Sequence, residues 1–503
     1  MPNVLVDLIL GAVARHRAAV AFRDAGREAT FAQVGKRIAR LANALLAVSP
    51  EPGRCVAILM SNRIEYAEAD LAAALAGKVK APVNPRLSDE ERAYCLANVQ
   101  AETLVTEASE LERVAALLPQ LPELRRVLVV DAEPGAALPH GAMPYEAALA
   151  AASAHASAVD LPDGAPSVVR HTSGTTGRPK GAVISAAARL AAMRTSLIEE
   201  IDPAAHDCFL HVAPMGHASG DKVLTFFARG AANAFLPRFD AGTFADDAEA
   251  LEATATFLVP TMIRMLLDRG RVPGGFRNVT YGGSLIDPGT RTVAVERFGP
   301  VLTQIYGATE TPHPVLVLGR DEHLLPETAQ ATGRPAHGVE VRLAGDGELL
   351  VRGANVMSGY WNDPKATAEV LVDGWYHSGD IARQLPGGWY AIVDRKKDLV
   401  ITGGLNVYPA EVEAALLRHP GVAEAAVFGV PDPLWGEIVA AAVIPARGAT
   451  PTVEELQAHC EALLAGYKKP RRIELRDALP KTATNKILKR ALRDEATTGR
   501  AGR

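Results

Sequence analysis

Along residues 54–107 the apolar positions change period repeatedly. "RCVAILM" (54–60) is a short continuous apolar run, and "KVKAPVN" (78–84) and "TLVTE" (103–107) are two more. Between them, "EYAEADLAAALAG" (65–77) and "SDEERAYCLANV" (88–99) place apolar residues three and four apart. Short runs predict buried strands and the longer periodic stretches predict helices, the second ended by nothing sharper than a polar turn and the first by Gly77. A βαβα rhythm of this kind predicts a parallel sheet with helices on its faces.

The rhythm pauses over 132–166, rich in Ala, Pro and Gly, which reads as a surface connection with one short helix. It returns with strands at "PSVVRH" (166–171), "TATFLVP" (254–260) and "NVTYGGS" (278–284). "VEVRLAGDGELLVRG" (339–353) alternates around Gly-Asp-Gly, a hairpin pattern. After "DRKKDLVITGG" (394–404) the order becomes helix (410–419), strand (423–430), strand (437–445), helix (452–466), a small α+β unit. The expected fold class is therefore α/β and multi-domain. Residues 1–394 form a large N-terminal domain of layered sheets and helices, and 395–503 a small C-terminal one. At the start, Leu5, Leu8, Ile9, Ala12 and Val13 share one helical face, and Asp7 and the lack of a basic leader argue for an amphipathic helix over a signal peptide.

Composition adds exclusions. The chain has 503 residues, 48% of them hydrophobic, and a net charge of −5, so no basic surface points to nucleic acid. No stretch is long and apolar enough to span a bilayer. Cys55, Cys95, Cys208 and Cys460 are far apart in sequence and form no metal-binding spacing. Reduced thiols in a cytoplasmic protein, a monomer or homodimer, are expected.

The chemistry centres on "HTSGTTGRPKG" (171–181). Glycines and hydroxyls after a strand can aim N–H and O–H groups at phosphate oxygens, and Lys180 can add a charge. The spacing is not that of a P-loop, since Pro179 precedes the lysine and Gly181 follows it. Composition alone leaves a phosphate grip and a plain surface loop both open.

Other segments break the tie. In order come "HVAPMGHASG" (211–220), "YGGS" (281–284), "QIYGATE" (304–310), "GWYHSGD" (374–380), "DRKKDLVITGGLNVYPAEVE" (394–413) and "PKTATNKILKRALR" (480–493). Together with the loop these resemble the adenylate-forming superfamily, in its acyl- and aryl-CoA synthetase branch, over nearly the whole chain. The resemblance implies ATP, Mg2+ and coenzyme A as reactants and cofactors. A carboxylic acid is activated as its acyl-adenylate, pyrophosphate leaves, and the acyl group passes to the thiol of coenzyme A.

It also implies roles. Thr172, Ser173, Gly174, Thr175, Thr176, Gly177 and Lys180 would grip the phosphates. Gly282, Gly283, Ser284, Tyr306 and Gly307 would hold the adenine side, with Tyr306 stacked on the base. Asp380 and Arg395 would take the ribose. Glu310 would face the metal, Thr309 the α-phosphate, and Lys486 the bond being made. Lys397 stands at the hinge of a mobile C-terminal lid, and Gly403 and Gly404 would line the pantetheine tunnel. His217 would gate or polarise the acid's carboxylate. The residues placed against the acid are His211, His217, Ala218, Ser219, Val223, Tyr281, Gly307, His313 and Pro314. Asn485 and Ala186 depart from the family pattern, where glycine and histidine are usual.

Ala218 stands where amino-acid-activating members carry an aspartate, which argues against an α-amino acid. His313 suits an aromatic acid with a hydroxy or amino substituent, and a medium-chain fatty acid stays open. A carrier-protein phosphopantetheine as acyl acceptor, and an inactive nucleotide-binding regulator, are the competing readings.

Overall fold

The computed structural model describes residues 4–172, 178–269, 271–481 and 487–498. These form a mixed α/β molecule built on four sheets.

The first sheet holds Cys55–Leu59, Val79–Pro82 and Thr103–Glu107 as parallel neighbours. Pro166–His171 joins them, parallel to Val79–Pro82 and antiparallel to Gly181–Ser185. The expected βαβα unit is therefore present, and the strand that carries the phosphate loop sits inside a sheet with both ends of the loop in adjacent strands. The intervening helix Asp89–Asn98 begins with a capping box, Ser88 accepting from the Glu91 N–H and Glu91 accepting from Ser88.

The second sheet runs parallel through Val20–Asp24, Ala232–Phe235, Cys208–His211, Ala255–Leu258, Asn278–Gly282 and Leu302–Tyr306. Helices Phe31–Val48, Ile64–Leu75 and Ala218–Ala228 contribute to one apolar cluster that joins the two sheets. Every residue of Ile64–Leu75 is buried, including Glu65, Glu68 and Asp70. Each of these carboxylates has a cation: Arg27 and Arg63 on Glu65, Arg37 on Glu68, Lys80 and Arg189 on Asp70. Burial of charge is tolerated only when it is paired in this way.

The third sheet contains the predicted hairpin, Val339–Leu343 against Glu348–Gly353, with Gly347 at φ +85°, and continues into Trp375–Gln384 and Tyr390–Arg395. A second apolar cluster joins it to the other two through Ile184, Phe257, Ile305, Val351 and Tyr376. Gly282, Tyr306 and Asp380, from three of the motifs, lie on strands of the second and third sheets. The fourth sheet starts at Val400, is dominated by the long pair Val422–Asp432 and Gly436–Pro445, and carries helices Pro409–Leu417 and Val453–Leu463. Among the described residues no helix is long and apolar enough to cross a membrane. All four cysteines are buried and free.

Candidate active site

The phosphate loop is closed at its neck. The Thr172 N–H donates to the Lys180 carbonyl at 2.8 Å, and the Lys180 N–H donates to Thr172 Oγ1 at 3.3 Å. Ser173, Gly174, Thr175, Thr176 and Gly177 lie outside the described residues. Lys180 Nζ rests 5.1 Å from the centre of the Tyr360 ring, and the Tyr360 hydroxyl donates to Glu310 Oε1 at 2.8 Å. One tyrosine thus bridges the loop's cation and the carboxylate of "YGATE". Tyr360 belongs to no motif read from sequence. It arrives because Gly359–Tyr360 pairs with Gly181–Ser185, an edge contact that no local pattern announces.

The nucleotide side is built at the ends of adjacent strands. Gly282 ends Asn278–Gly282, and a Cβ there would stand 2.3 Å from the Ile305 carbonyl oxygen, so only glycine fits. Tyr306 ends Leu302–Tyr306 and its hydroxyl donates to Asp380 Oδ2 at 2.5 Å. Arg395 Nε reaches Asp380 Oδ1 at 2.6 Å. Burial, and Asp380 beside it, push the Tyr306 phenol well above its ordinary pKa, so it stays a donor. Tyr306 was expected to act through its ring; its hydroxyl end is committed to the aspartate.

The turn after Tyr306 is compact. Ala308 and Thr311 exchange backbone hydrogen bonds, and a Cβ on Gly307 would meet His313 Cβ at 2.9 Å. The Glu310 carbonyl accepts from the Met357 N–H at 2.8 Å, and the Pro312 carbonyl from Asn355 at 2.8 Å. Thr309, Glu310 and His313 are thereby set on a compact loop that follows Tyr306.

Helix Ala218–Ala228 starts immediately after His217, whose carbonyl accepts from the Gly220 N–H at 3.0 Å. A Cβ on Gly220 would lie 1.9 Å from the Met215 carbonyl oxygen, so the entry turn requires glycine. The helix has two faces, and they divide the residues expected at the acid. Ser219 and Val223, four apart, turn into the core. Ser219 Oγ pairs with His211 Nδ1 at 3.0 Å, and His211 Nε2 with Asn233 Oδ1 at 3.0 Å. Burial pushes His211 down to about 4, so it is neutral. Tyr281 is fully buried as well, its hydroxyl between Gln304 and His323 at 2.8 and 2.9 Å. His211, Ser219, Val223 and Tyr281 are all buried, and three of them are held by side-chain hydrogen bonds in the core. Strand and helix periodicity turn their side chains to the inner face.

The opposite face of that helix carries Asp221, Lys222 and Thr225 toward Arg170 and His313. Arg170, two residues before the phosphate loop, grips Asp221 with Nη2 at 2.7 Å and Nη1 at 3.2 Å. Burial alone would raise the Asp221 carboxyl, but Arg170 and His313 hold it well below the usual carboxylate range. Arg170 was not anticipated; a charged residue inside an otherwise apolar strand, "PSVVRH", is the signal that was available.

In the fourth sheet Gly403 and Gly404 both have positive φ, +56° and +79°. The Gly403 N–H donates to the Trp435 carbonyl at 2.8 Å, and Arg471 stacks 4.2 Å from the Trp435 ring centre. Lys397 lies in the short turn Lys396–Asp398, and burial lowers its pKa. Lys486 and Asn485 lie outside the described residues, which flank them with a bridge between Lys481 and Ile487.

Layered α/β sheets that carry a tyrosine–aspartate–arginine cluster and a Gly- and Thr-rich loop closed at its neck make this a mixed α/β protein. Residues 11–361 match the AMP-binding enzyme family and residues 411–486 the AMP-binding enzyme C-terminal domain. The chain belongs to the AMP-binding enzyme family. It is 38% identical to a feruloyl-CoA synthase of Amycolatopsis sp, over 94% of this chain and 95% of that one. An indoleacetate–CoA ligase of Aromatoleum aromaticum is 35% identical over 93% of each chain. A medium/long-chain-fatty-acid–CoA ligase of Mycobacterium tuberculosis is 33% identical over 99% of this chain and 90% of its own. Among solved structures, the amide bond synthetase McbA from Marinactinospora thermotolerans superposes with a TM-score of 0.88 at 31% identity, covering 99% and 100% of the chains. Within the family the chain is an AMP-forming acyl-CoA ligase, using ATP, a carboxylic acid and coenzyme A.

Proposed function

We propose that the enzyme activates an aromatic or medium-sized acid bearing a polar substituent, and that its acceptor is free coenzyme A. The observation that carries the reading is the Tyr306–Asp380–Arg395 cluster. Asp380 has oxygens for two ribose hydroxyls, and the two donors already on it fix its orientation.

In the first half, a carboxylate oxygen forms a bond to the α-phosphorus and the bond to pyrophosphate breaks. Both partners are anionic, so the site must supply positive charge where charge develops. Lys180 serves the leaving phosphates, Thr309 the α-phosphate, and Lys486 the forming bond. Glu310 would hold a magnesium ion, which would supply positive charge to the phosphates: Tyr360 occupies Oε1, and a hard carboxylate oxygen suits this ion. His217, at the helix entry, positions the acid's carboxylate. In the second half the thiol sulfur bonds the acyl carbon and AMP leaves, with Gly403 and Gly404 beside the pantetheine.

Two features support these finer choices. Two relatives are named for acids that contain an aromatic ring, feruloyl and indoleacetate. Beside Gly403, Trp435 is 38% exposed with Arg471 stacked on it, an aromatic face and a cation suited to the adenine and phosphates of coenzyme A. The test is AMP formation from ATP over a panel of aryl and alkyl acids, with coenzyme A or a phosphopantetheinylated carrier protein as acceptor. AMP and acyl-CoA are expected with aryl acids; turnover only with the carrier, or only with α-amino acids, would sink the assignment. Lys486→Ala should cut pyrophosphate release by about 100-fold or more while ATP still binds.

A further inference from the structure

Between the phosphate-loop strand and helix Ala218–Ala228 lies a cavity of about 20 Å3, walled by Arg170, Asp221, Lys222, Met193 and His313. That is room for one water-sized group. Its wall is polar and incompletely satisfied. Arg170 is 4% exposed and its Nε–H has no partner among the described residues. His313 Nδ1 is shielded and likewise without a partner there. Lys222, by contrast, is fully spent on Ser196 and Glu200 at 2.6 Å. Buried polar atoms without partners are costly, so a hole lined by the two residues that carry them suits a hydrogen-bonding group. The place is adjacent to the chemistry, because His313 packs against Gly307, next to Tyr306 and two residues before Thr309.

We infer that this cavity receives an uncharged hydroxyl at the far end of the acid, which accepts from Arg170 Nε–H and His313 and donates to Asp221. The choice follows from complementarity. A hydroxyl offers one donor and two acceptors, matching one carboxylate and two N–H groups. Arg170 and Asp221 already neutralise each other, so a second carboxylate or an ammonium there would be a buried unpaired charge. A methyl ether carries no donor for Asp221 and exceeds the space. The inference rests on the acid-ligase reading and narrows its substrate class to hydroxylated acids.

The test uses the full chain and matched ring-substituted benzoic and phenylpropenoic acids carrying hydrogen, hydroxyl, methoxy or carboxylate at the meta or para position. Binding is read by calorimetry, and AMP formation with coenzyme A is read in parallel. At one ring position the hydroxyl acid should bind at least about tenfold more tightly than its hydrogen, methoxy and carboxylate counterparts. In His313→Phe, and separately in Asp221→Asn, that ratio should fall below about threefold; His313→Phe places an apolar ring beside Phe257, which keeps the packing. Equal binding of hydroxyl and hydrogen acids, no binding of any hydroxyl acid, or an unchanged ratio in both variants overturns the inference. Hydroxyl-selective binding without AMP formation removes the ligase reading and leaves the cavity assignment supported. AMP formation without selectivity removes the cavity assignment alone.

Discussion

At the scale of single residues, the site depends on side chains whose partners leave them one role. Asp380 is held by Tyr306 on one oxygen and Arg395 on the other. Asp380→Asn keeps the shape, loses the charge and must turn an amide N–H toward one of these donors. The KM for ATP should rise about 10- to 100-fold with little change in melting temperature, as expected when a charge-assisted hydrogen bond is lost; an unchanged KM would remove Asp380 from the ribose site. Buried histidines make the opposite kind of contribution. Burial pushes His171, His211 and His323 each down to about 4, against 6.5 unfolded. The unfolded chain therefore binds more protons between these values. The stability they contribute is complete above pH 6.5 and is lost as pH falls toward 4, by up to about 1.4 kcal/mol per pH unit for each. Urea midpoints at pH 7, 5.5 and 4.5 should decline in that order, and a flat series would contradict it.

At the scale of elements, the helix Ala218–Ala228 shows how one segment serves core and site together. Its Ser219 face closes the His211–Asn233 network, and its Asp221 face meets Arg170. Both faces rely on the entry turn at Gly220, where a methyl group would overlap the Met215 carbonyl. Gly220→Ala should shift the helix start, destabilise the protein by about 1–3 kcal/mol and lower acid turnover. A variant with wild-type stability and activity would show that the turn tolerates a Cβ. The same helix marks what was legible. The motif "HVAPMGHASG" is a local pattern that marks the turn into the helix, but it does not tell which side chains turn inward. Facing depends on the register against Phe209 and Asn233, which no single segment carries. Strands 54–107 were readable because they are continuous apolar runs between clear turns. Tyr360 was not, since its role comes from pairing with a strand 175 residues away in sequence. Tyr360→Phe isolates that contribution: the KM for magnesium-ATP should rise by about tenfold, the scale of one hydrogen bond to a charged group, while folding is unaffected. No change would leave Glu310 positioned by its own turn alone.

At the scale of the whole molecule, one short segment joins two sets of sheets. The third sheet ends at Arg395 and the fourth begins at Val400. Just before and within this step the chain is tied down. Asp394 accepts from the N–H groups of Arg395 and Ala410 at 2.7 Å each, and Lys396 bonds Asp346 and Glu348 at 2.7 and 2.9 Å. We propose that the C-terminal part rotates after Lys396, within the turn that holds Lys397, a movement that would break the Ala410–Asp394 hydrogen bond. On this proposal the two half-reactions make opposing demands there, since Lys486 would serve the first and Gly403 and Gly404 the second. Proline at 397 fixes its own φ and restricts Lys396. Lys397→Pro should leave pyrophosphate release in the first half within about threefold of wild type and slow thioester formation by about 100-fold or more, because the proposed swing between the two faces would be a backbone rotation at this position. Single-turnover measurement of each half separates the effects. Loss of both halves together would mean that the turn is structural, and retention of both would place the hinge elsewhere in the segment.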